Sequence, residues 1–431
     1  MSVDEPTGPI QIHESWLPKD HALHRPRHGR RQHTALVCAV LFFLTPALAF
    51  VFGVRPQEIE NHRLASFPSL ADGFGFFTGL SNWATDHLPL RDAGVHAEAA
   101  ISNGVFGEPP AYSQIDRGGA SGPVGGVGPP TPQAPDQSSQ AGTNGFPQVI
   151  QGKDGWLYYG YDMQAKCQPV HPLSTTISAL QRLRTAVTRS GRRLVVVIAP
   201  DKSTVLPEHL PDTYAGKQCA ASASTTFWNQ VPQQTGALDL RQGLRDVGTT
   251  LRQPVYLTQD THWTDLGAMN MLYAVAEHLT PGISTTWAFH PTFVTTGAAD
   301  LPKMLGTSGT NTDQSYSLAP DGGADRAGGH PVDNLDQPYR STGEHVRGMI
   351  GGKVALLGDS FLLPALRYLP AVFDNATAYY SAAAAQHQDQ LDSIVDNSDT
   401  IVLEVVERNL AAGTEELLQP GALSNLISSL A

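Results

Sequence analysis

Two short polar clusters in this 431-residue chain hold the side chains that covalent acyl chemistry needs. In Gly358-Asp359-Ser360 a serine follows the apolar run 354–357 and precedes a helical pattern starting near Phe361. A serine on such a strand-to-helix turn projects from the sheet edge. The free N–H groups of the helix start can stabilise an oxyanion as a tetrahedral intermediate forms, and the glycine permits close approach or an unusual backbone angle. In Asp260-Thr261-His262 a carboxylate can fix the imidazole tautomer and stabilise the imidazolium formed during proton transfer. Neither cluster suffices alone. An Asp-x-His pattern is expected about once by chance in such a chain, and Ser360 by itself also reads as a helix cap. Together, with no better nucleophile elsewhere, they predict Ser360 as nucleophile, His262 as base and Asp260 as its orienting carboxylate. A metal site is the weaker reading, because no second His or Cys cluster stands nearby and only Asp265 is close in sequence. No metal and no other cofactor is expected.

The elements that must position these residues are legible as four short apolar runs, 194–198, 255–257, 354–357 and 401–406, which read as buried strands. Each ends in polar residues, and in open α/β sheets the ligand crevice lies outside the carboxyl ends of the strands. Lys202, Trp263 and Arg408 stand at such ends and are predicted to contact substrate, with a structural role as the alternative. Glu404 and Glu407 could pair with Arg408 or Lys202. Trp156, Tyr158, Tyr159, Tyr161 and Trp263 could stack on sugar rings, although aromatic clusters more often form core. Apolar residues at three-and-four spacing after Thr264-Asp265 predict one helix, and 175–188 predicts another that covers one face of the sheet.

Outside this region the composition divides the chain. Residues 35–54 form an uncharged apolar run of about the length that crosses a bilayer. Arg25, Arg27, Arg30 and Arg31 precede it, which puts 1–34 in the cytoplasm and the rest outside. A cleaved secretory signal is the rival reading, with Ala47-Leu48-Ala49 as the cleavage-like site. Residues 55–107 read as a helical membrane-proximal segment. Residues 108–146, rich in Gly, Pro, Ser and Gln, read as a flexible linker or insertion, and 147–431 as the catalytic domain. Cys167 and Cys219 form the only cysteine pair of the exported part, either a disulfide or two buried thiols. A net charge of −12 and a lack of basic clusters beyond the first 34 residues argue against a nucleic-acid partner.

Several motifs give this chain a family resemblance. Glu60-Asn61-His62-Arg63-Leu64 with Phe67-Pro68, then Asp86-His87-Leu88-Pro89-Leu90-Arg91, resemble the membrane-proximal signature of the AlgJ/AlgX type of alginate O-acetyltransferase. The run 152–159, Pro200-Asp201-Lys202, Asp260-Thr261-His262-Trp263, Asp300-Leu301 and Gly358-Asp359-Ser360-Phe361 resemble its catalytic domain. The resemblance implies an SGNH-like three-layer α/β/α domain with a mostly parallel sheet, preceded by one transmembrane helix. It also implies Ser360, His262 and Asp260 in the roles above, in a chain order permuted relative to SGNH esterases, where serine comes first. The activity implied is transfer of acetyl to an extracytoplasmic polysaccharide, outside a bacterial cytoplasmic membrane, with a multi-pass membrane O-acyltransferase as the donor partner. A serine carbohydrate esterase and a non-catalytic membrane-anchored assembly scaffold are the alternatives. The 108–146 stretch looks like an insertion in the family pattern. No carbohydrate-binding module is expected after the last strand, so a partner is expected to supply polymer binding.

Overall fold

The computed structural model describes residues 30–51, 114–115 and 146–430 apart from 330, 331 and 333, with the isolated positions Phe67, Phe76, Leu80 and Trp83 between. It divides into two compact units, Met1–Ala97 and Glu98–Ala431. In the first, Arg30–Val51 forms a helix over most of the stretch expected to span a membrane. Among the described residues no helix is long and apolar enough to cross one. The readings of the tail, the membrane-proximal segment and the linker lie almost wholly outside the described residues. Within the linker, Gln114–Ile115 pairs antiparallel with Phe146–Pro147.

The second unit is built on six strands: β1 Arg193–Ala199, β2 Leu238–Asp239, β3 Tyr339–Thr342, β4 Ile350–Gly358, β5 Phe373–Tyr380 and β6 Thr400–Val406. Their order is β2-β1-β6-β4-β5-β3, parallel throughout except for β3. The valine- and isoleucine-rich strands are apolar on both faces because both faces are covered. Val195, Val197 and Ala199 enter one core with Leu266, Met271, Leu272 and Val275 of the helix Asp265–Leu279. Leu194, Val196 and Ile198 enter the other with Leu180, Leu183 and Val187 of Leu173–Arg189 and Phe227 and Trp228 of Lys217–Thr235. These are the three layers that the resemblance implies.

One expectation needs correction. Residues 255–257 are no strand of the sheet. Pro254 precedes them and the chain turns back at 258–261, leaving a single antiparallel bridge between Tyr256 and Trp263. Leu257 N–H donates to His262 O at 3.1 Å and Thr264 N–H to Val255 O at 3.0 Å, so Asp260 and His262 sit at the tip of a tight, closed loop. The helix after Ser360 is a 3-10 helix, Ser360–Tyr368, with Pro364 inside it. Pro364 has no N–H to give to an α-helical ladder.

Cys167 and Cys219 are joined as a disulfide, 52 residues apart with Cα atoms at 5.5 Å, which ties Tyr161–Cys167 to Lys217–Thr235. A closed loop of this size is worth roughly 2–4 kcal/mol. Cys167→Ser is therefore expected to lower unfolding stability by that amount in a denaturant titration, and reductant should lower the unmodified chain alike. Superimposable curves would make the bond irrelevant to the fold.

Candidate active site

The carboxyl ends of β1, β6 and β4 lie side by side, and the turn after β4 carries the serine. Gly358 is required there for space, since a Cβ would meet Glu404 Oε2 at 2.6 Å and Glu404 O at 3.0 Å. Asp359 then fixes the turn. Its Oδ1 accepts from Phe361 N–H at 3.0 Å as a helix cap, and its Oδ2 accepts from Val406 N–H at 3.0 Å on the neighbouring strand. The Ser360 hydroxyl is left at the head of the 3-10 helix, and its N–H has no acceptor among the described residues.

The closed loop meets it there. His262 Nε2 lies 2.8 Å from Ser360 Oγ across 98 residues of sequence, and His262 Nδ1 lies 2.6 Å from Asp260 Oδ1. An ionised carboxylate can only accept, so Nδ1 carries the proton and Nε2 is free to take one from the serine. The Asp260 carboxylate is held in turn: Oδ1 accepts from His262 N–H at 3.1 Å, and Oδ2 from Asp300 N–H at 3.1 Å and Asn311 Nδ2 at 3.5 Å. Gly267 lets the following helix approach, since a Cβ would lie 2.6 Å from Trp263 Cβ.

Charge follows this geometry. Burial pulls His262 down, but its hydrogen bond to Asp260 and the charges of Asp260 and Asp300 outweigh that and leave it raised above 6.5. Burial pushes Asp260 up, yet the same hydrogen bond and the His262 charge leave it below 3.8. Burial and the Asp260 charge push Asp300 up. Asp260, His262 and Asp300 also offer three metal-ligand atoms within 4.8 Å of one another. A cation among them would have to displace the Nδ1 proton that Asp260 already binds.

Residues 149–327 match the sequence profile described as SGNH hydrolase-like domain, acetyltransferase AlgX. The "Probable alginate O-acetylase AlgJ" of Pseudomonas syringae pv. tomato is 31% identical over 129 residues, which are 29% of this chain and 31% of that protein. The chain thus matches about a third of the length of such curated relatives. This domain is similar in sequence to the AlgJ/AlgX type. Solved structures similar to it include the O-acetyltransferase domain of Pseudomonas putida AlgJ, with 20% identity, TM-score 0.42 and coverage of 62% of this chain and 93% of that one. Pseudomonas aeruginosa AlgX has 15% identity, TM-score 0.42 and coverage of 64% and 66%.

In this domain the three residues predicted to contact substrate are buried among protein groups. Lys202 Nζ donates to the carbonyls of Leu257 at 3.0 Å, Thr258 at 3.3 Å and Asp260 at 2.6 Å. All three ammonium protons are engaged in holding the loop that carries His262. Trp263 is fully buried, and its Nε1 donates to Phe361 O at 2.9 Å, joining the histidine loop to the serine helix. Arg408 lies 3.4 Å from both Asp162 and Asp201. Glu407 pairs with Lys166 at 2.9 Å, not with Arg408 or Lys202, and accepts from Trp228 Nε1 at 2.9 Å. Glu404 accepts from Asp359 N–H at 3.2 Å, and burial pushes its carboxyl far up. Of the aromatics, Tyr158 is buried with its hydroxyl on Leu206 O, while Trp156 stacks on His209 at 4.6 Å and stays half-buried with Tyr159 and Tyr161. The site residue that the sequence does not flag is Asn311; Asp300 stands out only as half of a motif. A lone residue 40 or 50 positions away carries no spacing signal.

The pH dependence of turnover follows. His262 must be neutral to act as a base, so rate is expected to rise with pH through a value above 6.5 and to be lost below it. Burial pulls Lys202 down to about 8 against the charges of Asp300, Asp260 and Asp162. Above that pH a neutral amine turns a lone pair toward one of its three carbonyls, the loop loosens and rate is expected to fall. A pH-rate profile checks both limbs; a plateau persisting to about pH 10, near the ordinary lysine value, would remove the Lys202 charge from the account.

Proposed function

We propose that this chain is an acetyltransferase that moves an acetyl group through Ser360 to hydroxyls of an extracytoplasmic polysaccharide. The observation that carries the reading is the continuous 2.8 and 2.6 Å relay from Ser360 Oγ through His262 to Asp260. The alginate O-acetylase names of the relatives support the reaction type. Ser360 Oγ attacks the acetyl carbonyl while His262 Nε2 takes its proton, and Asp260 stabilises the imidazolium. In this reading the Ser360 N–H at the helix start donates to the developing oxyanion. Collapse expels the donor's leaving group with the proton from His262, and acetyl-Ser360 remains. A sugar hydroxyl then attacks it, gives its proton to His262, and leaves acetylated as Ser360 regains a proton.

The apolar run 35–54 behind a cluster of arginines supports a single-pass anchor in a bacterial cytoplasmic membrane with the domain outside. A disulfide fits an oxidising compartment. The acetyl donor in this reading is an activated acyl group presented by a multi-pass membrane O-acyltransferase, and the acceptor polymer is the second partner.

The test incubates the full chain in detergent with an activated acetyl ester and candidate exopolysaccharide oligosaccharides, with mass spectrometry of the sugars. Acetyl on sugar with the unmodified chain but not with Ser360→Ala is the expected result. Acetate released with no sugar product would favour an esterase. Products indifferent to Ser360 would favour a non-catalytic scaffold.

A further inference from the structure

We propose that Asp300 is a positioning residue for His262: it holds the loop that carries the imidazole and presents a second carboxylate to the imidazolium. This rests on the proposed acyl transfer through Ser360. Two hydrogen bonds fix it. Thr261 N–H donates to Asp300 Oδ1 at 3.0 Å, and Thr261 Oγ1 donates to Asp300 Oδ2 at 2.5 Å. The residue between Asp260 and His262 is thereby clamped from outside the loop. Asp300 N–H donates to Asp260 Oδ2, so the same residue also orients the first carboxylate. Asp300 Oδ2 itself stands 3.8 Å from His262 Nδ1, close enough for its charge to favour the protonated ring without replacing Asp260 as the hydrogen-bond partner.

The groups facing this pair come from several elements. Asp260 lies on the loop itself, and Lys202, after β1, feels the Asp300 charge first among its neighbours. Arg408, after β6, opposes protonation of His262. Asn311, from the hairpin strand Thr310–Ala319, touches Asp260 without charge. Asp300 is the residue through which Asp260, Thr261 and His262 are all bound to one segment.

Asp300→Asn tests this, since the amide keeps the shape and an acceptor for Thr261 N–H but loses the charge. With an activated acetyl ester as substrate, kcat is expected to fall about tenfold with KM little changed, and the acid limb of the pH-rate profile to move down by about half a pH unit or more. An NMR titration of the His262 ring should show the same downward shift. Asp300→Ala should lower kcat further while moving the His262 titration by a similar amount. If the Asn variant kept the acid limb and the ring titration of the parent, Asp300 would be a loop brace only, and the proposal would fall even where Ser360→Ala abolishes turnover. If Ser360→Ala left turnover intact, the underlying acyl-transfer reading would fall instead.

Discussion

Ser360→Ala is expected to lower acyl transfer by at least about 10³-fold, because the hydroxyl is the group at hydrogen-bond distance from His262 Nε2 and removing a triad nucleophile leaves only binding and oxyanion stabilisation. The substitution deletes one oxygen at the mouth of the site and leaves Asp359 capping the turn, so the thermal midpoint should stay within a few degrees. Initial rates with an activated acetyl ester, beside a melting curve, check both halves. A variant within tenfold of the parent would mean that another group carries the acetyl.

Asp260→Asn is expected to cost nearly as much, about 10³–10⁴-fold in kcat. The amide keeps the volume and an oxygen that can still accept from Asp300 N–H. Its NH₂, however, cannot accept the Nδ1 proton as the carboxylate does at 2.6 Å, so the ring is driven toward the tautomer that places a proton on Nε2, the nitrogen that must be bare. Loss of the negative charge also lowers His262, which burial already pulls down. The expected signature is a collapsed kcat with KM changed little. A raised KM with kcat preserved would assign Asp260 to substrate binding.

How much of this was legible depended on where the chemical information lay. Strands β1, β4 and β6 announce themselves because both faces are buried, and an unbroken apolar run is what that demands. Strand β5 reads FDNATAYY, in which the buried Phe373, Ala376, Ala378 and Tyr379 are interrupted by half-buried polar residues, so no run is visible. The hairpin strand Ala288–Ala298 is exposed along nearly its whole length and shows no apolar alternation at all. The candidate triad was legible because two of its residues share a motif and the third stands on a strand-to-helix turn. The segment 255–257 has the composition of a strand, yet Pro254 and the turn behind it leave it as one arm of a loop, which brings His262 to the serine. Residue type alone does not say which way a side chain points. Lys202, Trp263 and Arg408 were placed at the right edge of the sheet, but their polar atoms turn inward to carbonyls and carboxylates that come from distant parts of the chain.

The central claim is that acetyl resides on Ser360 during turnover. Brief incubation of the full chain with an activated acetyl ester, an acid quench and peptide mapping by mass spectrometry tests it directly. The account predicts one acetyl group on the peptide that contains Ser360, absent from Ser360→Ala, accumulating in His262→Ala more slowly than in the parent, and discharged when oligosaccharide is added. Acetylated sugar formed at the parent's full rate with Ser360 unmodified at every time point would contradict it.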